Sequence, residues 1–209
     1  MTEKVDPRIE RTKDMIRSAL FALIEEKGFE AVTVRDITTK AGLNRGTFYL
    51  HYQDKYDLLE KCKDEVWQGY EAKIRHADPT LLFYYAERGE AYPYLIDVFR
   101  FFGEHSSFFR VMMGPKGDPS FILRYKNKLR MHLQQKLIEL QPDEQHLLVP
   151  RQFLTAYISS ANIGIVQDWL ESGMPHTPEE MALLISRITR LGPLQMTGAL
   201  GQSKKPGSS

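Results

Sequence analysis

Thr33, Arg35, Arg45, Gly46, Thr47, Tyr49, Leu50, His51 and Lys55 crowd into one short stretch, and their side chains suit contact with a nucleic acid. The guanidinium groups of Arg35 and Arg45 can pair bidentately with O6 and N7 of a guanine. Thr33, Thr47, Tyr49, His51 and Lys55 supply donors for phosphate oxygens, which fix a protein on a duplex without specifying sequence. Thr33 and Lys55 also fall where helices should begin, so free backbone N–H groups add to the attraction for an anion. Gly46 lets the backbone come close to a base edge, and Leu50 can touch a thymine methyl. Each residue has a blander reading: Tyr49 as a core aromatic, His51 as a surface imidazole, Arg35 and Arg45 as solvated charges. The register beside Thr47 and Lys55 favours contact.

Charge supports a local surface only. Between Thr33 and Lys55 the cations Arg35, Lys40, Arg45 and Lys55 outnumber Asp36 and Asp54, whereas the whole chain carries 28 Lys and Arg against 27 Asp and Glu, a net +1. Global attraction to a polyanion is therefore excluded.

The elements that must hold these residues can be read from periodicity and caps. Ile16, Ala19, Leu20, Leu23 and Ile24 recur at helical spacing and stop at Gly28. Thr33 with Asp36 forms a capping box for a second helix ending near Ala41. Gly42, Leu43 and Asn44 make a tight turn into a short helix, Arg45 to Tyr52, with Asn44 as its cap. Two short helices about a glycine turn form a helix-turn-helix, whose second helix enters the major groove. On that helix Phe48 and Tyr52 share the side expected to pack inward, with Gly46, Thr47 and Leu50 opposite. Asp54 caps a fourth helix reaching Ile74.

Further helical patterns cover Tyr92–Glu104, Ser106–Met113, Ser120–Leu140, Arg151–Leu170 and Pro178–Leu191; Ala77–Ala91 is ambiguous. Aromatic and methionine side chains, among them Phe99, Phe102, Phe109, Met113 and Tyr125, either fill a core or line an effector cavity, and His132 is either a polar group in that cavity or a satisfied core histidine. Gln152–Leu170 is apolar almost all round, so it needs burial on more than one flank. A homodimer interface through Phe153, Tyr157, Gly164, Leu184 and Ile188 would supply it, with Met181, Ile185 and Leu191 in the same stripe. Cys62, the single cysteine, should be a buried structural thiol. Spacings for hydrolases, dinucleotide or nucleotide sites are absent, and His51, His76, His105, His132, His146 and His176 are too dispersed for a metal cluster. No enzyme activity, cofactor or metal is expected. No apolar run is long enough to span a bilayer and the charged start lacks a signal peptide's centre, so a cytoplasmic protein without membrane contact is expected.

The segment VTVRDITTKAGLNRGTFYLHYQDKYDLLE, Val32–Glu60, resembles the DNA-binding signature of the TetR family, and the likeness extends back through the first helix. The segment FFRVMMGPKGDPSFILRYKNKLR, Phe108–Arg130, resembles the C-terminal domain of a subgroup of that family common in Gram-positive bacteria. The resemblance implies a transcription regulator, a repressor released by a small-molecule effector, that binds a near-palindromic operator as a homodimer. Leu50 departs from the aromatic or polar residue often found there, which bears on base preference. The expected fold is all-α: a helix-turn-helix domain over 1–54, an effector-binding and dimerisation domain over 55–197 joined by a long helix, and a polar tail over 198–209. The rival is a protein-interaction adaptor that keeps the helix-turn-helix shape without DNA contact.

Overall fold

Side-chain caps set most of the helix starts. In a computed structural model, which describes residues 6–75 and 77–196, ten α-helices succeed one another and no strand occurs among the described residues. The expected tail at 198–209 and His76 lie outside them. They run α1 Pro7–Lys27, α2 Val34–Ala41, α3 Arg45–Tyr49, α4 Lys55–Ile74, α5 Pro79–Arg88, α6 Pro93–Glu104, α7 Ser106–Met113, α8 Pro119–Leu140, α9 Arg151–Glu171 and α10 Pro178–Met196. Asp6, Thr33, Asn44 and Asp78 each accept a backbone N–H at a helix start, relieving donors that have no partner inside the helix. Thr177 and Glu180 close a reciprocal box at the start of α10, the N–H of Thr177 reaching Glu180 at 2.8 Å.

Two helix assignments differ from the sequence reading. The third helix ends at Tyr49 instead of Tyr52, because Leu50 and His51 close a tighter turn onto Gly46 and Phe48 carbonyls. The ambiguous stretch after Ala77 contains α5, started by Asp78 and Pro79 and stopped by Gly89 at φ 70°.

Among the described residues the backbone divides into two compact units, one of 6–71 with 105–127, the other of 72–104 with 128–196. In the first unit α1 packs on α2 and α7. Its core holds Ile16, Leu20 and Ile24 of α1, Ile37 of α2, Phe48 of α3, Leu58 of α4 and Phe108, Phe109 and Met112 of α7. Phe21 meets Phe108 edge-on at 5.6 Å. Cys62 is buried beside Leu58 and Leu59 in sequence, and burial pushes its thiol up to about 12.

The turn from Gly114 to Asp118 is pinned at three points within this unit. A Cβ on Gly117 would overlap the carbonyl oxygens of Val111 and Met112, and one on Gly114 would sit 2.6 Å from that of Arg110. Lys116 donates to the carbonyls of Glu25 and Glu26 at 2.9 Å, where α1 ends and its oxygens lack partners. Lys63 of α4 is buried and binds Glu60 at 2.7 Å and Asp118 at 2.8 Å. Partial burial works against charge on Asp118, but hydrogen bonds from Lys63 and Ser120 outweigh it and hold the carboxyl at about 2.

In the second unit α10 packs on α5 and α6, and Phe99 meets Trp169 edge-on at 5.4 Å. Thr155 and Ser159 are fully buried on α9, their hydroxyls turned back to carbonyls of their own helix. Met181 and Ile185, expected in the dimer stripe, belong to this unit's own core.

The Lys63–Asp118 pair makes stability depend on pH in one direction. A carboxyl held below its usual 3.8 adds stability that is complete above about pH 4 and fades as pH falls toward 2, on the order of 1–2 kcal/mol. Asp118→Asn should reduce the acid-side slope in urea unfolding followed at pH 2 to 5, the remainder coming from other lowered carboxyls such as Asp57 and Asp78. Gly117→Ala should lower stability by about 1–3 kcal/mol through steric overlap, read from the same unfolding midpoints.

Candidate nucleic-acid interface

Local caps fix the two ends of the helix-turn-helix. The Thr33 hydroxyl accepts the N–H of Asp36 at 3.2 Å, and the Asp36 carboxylate takes the Thr33 N–H at 2.9 Å. Lys27 at the end of α1 reaches the same carboxylate at 2.8 Å. Hydrogen bonds from Lys27 and Thr33 hold the Asp36 carboxyl well below the usual carboxylate range. Thr33 is therefore seated on an exposed helix start with its hydroxyl already donating to Asp36 at 2.7 Å. Gly42 ends α2 in the left-handed region at φ 67°, and the Leu43 N–H closes the turn on the Thr38 carbonyl.

Asn44 then starts α3 by accepting from the Thr47 N–H at 2.7 Å and the Thr47 hydroxyl at 3.0 Å. Phe48 is 0% exposed and Tyr52 is buried, as the helical wheel requires. The opposite side faces outward: Leu50 is 80% and Tyr49 50% exposed, Gly46 is open, and Thr47 is partly covered. A Cβ on Gly46 would lie 3.2 Å from the Asn44 side chain, so this glycine also leaves room for the cap. Arg45 is exposed and donates to the Tyr49 hydroxyl at 3.2 Å. Arg35 is exposed on α2. The arrangement presents hydroxyls, two guanidinium groups and an apolar side chain on a firmly anchored short helix.

Two clips at the exit of α3 were not legible in the sequence. Lys61 of α4 donates to the His51 carbonyl at 3.2 Å and to Asp57 at 2.9 Å, while Asp57 accepts the Gln53 N–H at 2.8 Å. The only local signal was the opposite charge at i and i+4. His51 itself is half-buried beside Tyr52, at a ring distance of 6.3 Å. Lys55 donates to the carbonyls of Phe29 and Glu30 at 3.1 and 2.9 Å and lies over the Phe29 and Tyr56 rings. An ammonium has three protons, so one remains beyond those two bonds.

The residues expected at an effector cavity fall in different units. Phe109, Met113 and Tyr125 are buried in the first, where Tyr125 packs on Trp67, Tyr70 and Phe121. Phe99 and Phe102 are buried in the second, with His132 partly so. On the expected dimer surface Phe153 is 61% and Tyr157 54% exposed, Gly164 is open with nothing near its Cβ position, and Leu184 and Ile188 are half-buried. Among the described residues no group of His, Cys, Asp and Glu could hold a metal ion, and no helix is long and apolar enough to cross a membrane.

Comparison with known proteins agrees with this geometry. Residues 16–62 match the family model for bacterial regulatory proteins of the tetR family, and residues 89–191 match that for a transcriptional regulator C-terminal region. The chain belongs to the TetR family. A relative in Bacillus subtilis, the uncharacterised HTH-type transcriptional regulator YxbF, is 31% identical over 108 residues, which is 50% of this chain and 27% of that protein. The chain spans 27%, 16% and 33% of the length of the curated relatives it matches. A TetR transcriptional regulator from Streptococcus agalactiae superposes with a TM-score of 0.55 at 23% identity, covering 88% of this chain and 95% of that one. NalD of Pseudomonas aeruginosa, the secondary repressor of the MexAB-OprM multidrug efflux pump, superposes with a TM-score of 0.56 at 18% identity, covering 87% and 96%. At these identities the two structures attest the TetR fold.

Asn44 caps α3 of this TetR chain at its start, so Asn44→Ala should cost about 1 kcal/mol of stability in chemical unfolding. Amide exchange at Thr47 and Phe48 should accelerate by more than the global change accounts for.

Proposed function

We propose that this chain is a sequence-specific DNA-binding regulator, a repressor that a small-molecule effector releases from its operator. The observation that carries the reading is the exposed face of α3, with Arg45, Thr47, Tyr49 and Leu50 outward and Phe48 fully buried behind them. Thr33, Arg35, Gly46, His51 and Lys55 complete the proposed surface, with Lys55 on a phosphate, the Thr33 and Thr47 hydroxyls turning from Asp36 and Asn44 to phosphates, and the two guanidinium groups facing the duplex. Family membership supports operator binding. The reading needs no catalytic step, and places the protein with the chromosome in the cytoplasm.

A homodimer is part of the proposal. One recognition helix holds half the contacts of a near-palindromic site, and two must enter major grooves about 34 Å apart. The stripe of Phe153, Tyr157, Ser160 and Gly164 along α9 leaves large rings exposed beside small residues, a surface that a two-fold partner could cover. Leu184 and Ile188 of α10 are proposed to join it. Effector contact is proposed among the buried aromatic groups, with Phe109, Met113 and Tyr125 as candidates in the first unit and Phe99, Phe102 and His132 in the second. An effector that favours a different separation of the recognition helices weakens operator binding by that preference.

Gel shifts with the wild-type protein on fragments of its own genome test the reading: at least one fragment should bind far more tightly than random DNA of equal length. Uniform weak binding to all fragments would refute it. Gly164→Arg should turn a dimer into a monomer in sedimentation at micromolar concentration, with operator affinity lost alongside. A wild-type monomer, or a Gly164→Arg dimer, would show that the interface lies elsewhere.

A further inference from the structure

Arg35 and Arg45 have the same chemistry but different surroundings. Arg45 and Tyr49 lie at i and i+4 on α3, the spacing that brings side chains together on one helix face. The Nη2 of Arg45 donates to the Tyr49 hydroxyl at 3.2 Å. The guanidinium carbon is 5.9 Å from the Tyr49 ring centroid, at the far limit of a cation–π contact, so the hydroxyl is the main hold. Tyr49 is in turn braced by the buried Phe48 ring, edge-on at 5.5 Å. Among the described residues no carboxylate pairs with Arg45, so its fork is not neutralised within the chain. Arg35 has no comparable partner for its guanidinium among the described residues.

We infer that Tyr49 is a positioning residue, whose hydroxyl holds the Arg45 guanidinium ready to read a guanine, and that Arg45, not Arg35, is the arginine that sets base preference. The inference rests on the DNA-binding reading above. A guanidinium has five N–H donors; one goes to Tyr49, and the others still contain the pair of parallel donors that O6 and N7 require. Tyrosine has two flexible torsions against four for arginine, so the stiffer, braced ring orders the longer chain. An arginine held in this way loses less rotamer freedom on binding, which concentrates its gain on the matched base. Tyr49 then acts on sequence preference through Arg45, beyond any contact its hydroxyl makes with a phosphate.

The test starts from sites that the wild-type protein selects from a random duplex pool. Affinities for the selected site and all its single-base-pair variants are measured for wild type, Tyr49→Phe, Arg45→Ala, Arg35→Ala and Tyr49→Phe with Arg45→Ala. Tyr49→Phe keeps the ring and removes only the hydroxyl. It should weaken the selected site about three- to tenfold and flatten preference at the same base pair that Arg45→Ala flattens. In the Arg45→Ala background it should alter base preference no further, leaving at most a uniform weakening from a lost phosphate contact, while Arg35→Ala should weaken all sequences alike. Equal weakening of every sequence by Tyr49→Phe, full additivity with Arg45→Ala, no effect of Tyr49→Phe, or loss of base preference in Arg35→Ala would each overturn the inference. A wild-type protein that selects no site would instead overturn the DNA-binding reading itself.

Discussion

A helix of five residues cannot stand alone. Closing its first turn fixes several torsions for one hydrogen bond, and α3 is too short to recover that cost by propagation. The burial of Phe48 and Tyr52 therefore carries the interface: their rings, 5.6 Å apart, tie the exposed face of α3 to the core beneath it. Arg45, Thr47, Tyr49 and Leu50 have defined positions only because those two rings do. The small size of α3 also explains why side chains hold the backbone at its start and just past its end. Asn44 takes the N–H of Thr47, and just past the helix Lys61 and Asp57 of α4 hold the His51 carbonyl and the Gln53 N–H.

The same solution recurs where other helices and turns end in the first unit. Lys116 serves the final carbonyls of α1, and Lys55 serves the carbonyls of the turn that follows. An ammonium suits the negative end of a helix, and a long stem reaches it from a distant part of the chain. These contacts join α1, α4 and the turn after α7 without large apolar surfaces. They also mean that several lysines in a region rich in cations serve the fold as well as any ligand. Lys55 is the clearest case.

What was legible in the sequence was local. Thr33 with Asp36, Asn44 with Thr47, and Thr177 with Glu180 lie within one turn of each other, so residue type and spacing were enough. The inward placement of Phe48 and Tyr52 followed from helical periodicity alone. The Lys63–Asp118 pair and the grip of Lys116 on α1 join residues far apart in sequence, and no periodicity reports such pairs. On α10 periodicity found the apolar face, but could not say that α5 and α6 would pack there and bury Met181 and Ile185. Burial of Thr155 and Ser159 was hidden for a different reason, since their hydroxyls are satisfied inside their own helix and need no partner to announce them.

Cys62 has a practical consequence. It is the single thiol of the chain, it lies in the core of the first unit, and at about 12 its ionisation is far above neutral pH. A thiol is attacked by alkylating reagents as the thiolate, so the folded protein should be nearly inert to them. Reaction then reports the fraction of molecules in which α4 has come away from its neighbours. The chain thus carries its own clock for local opening in the unit that presents α3, readable by mass without any added label.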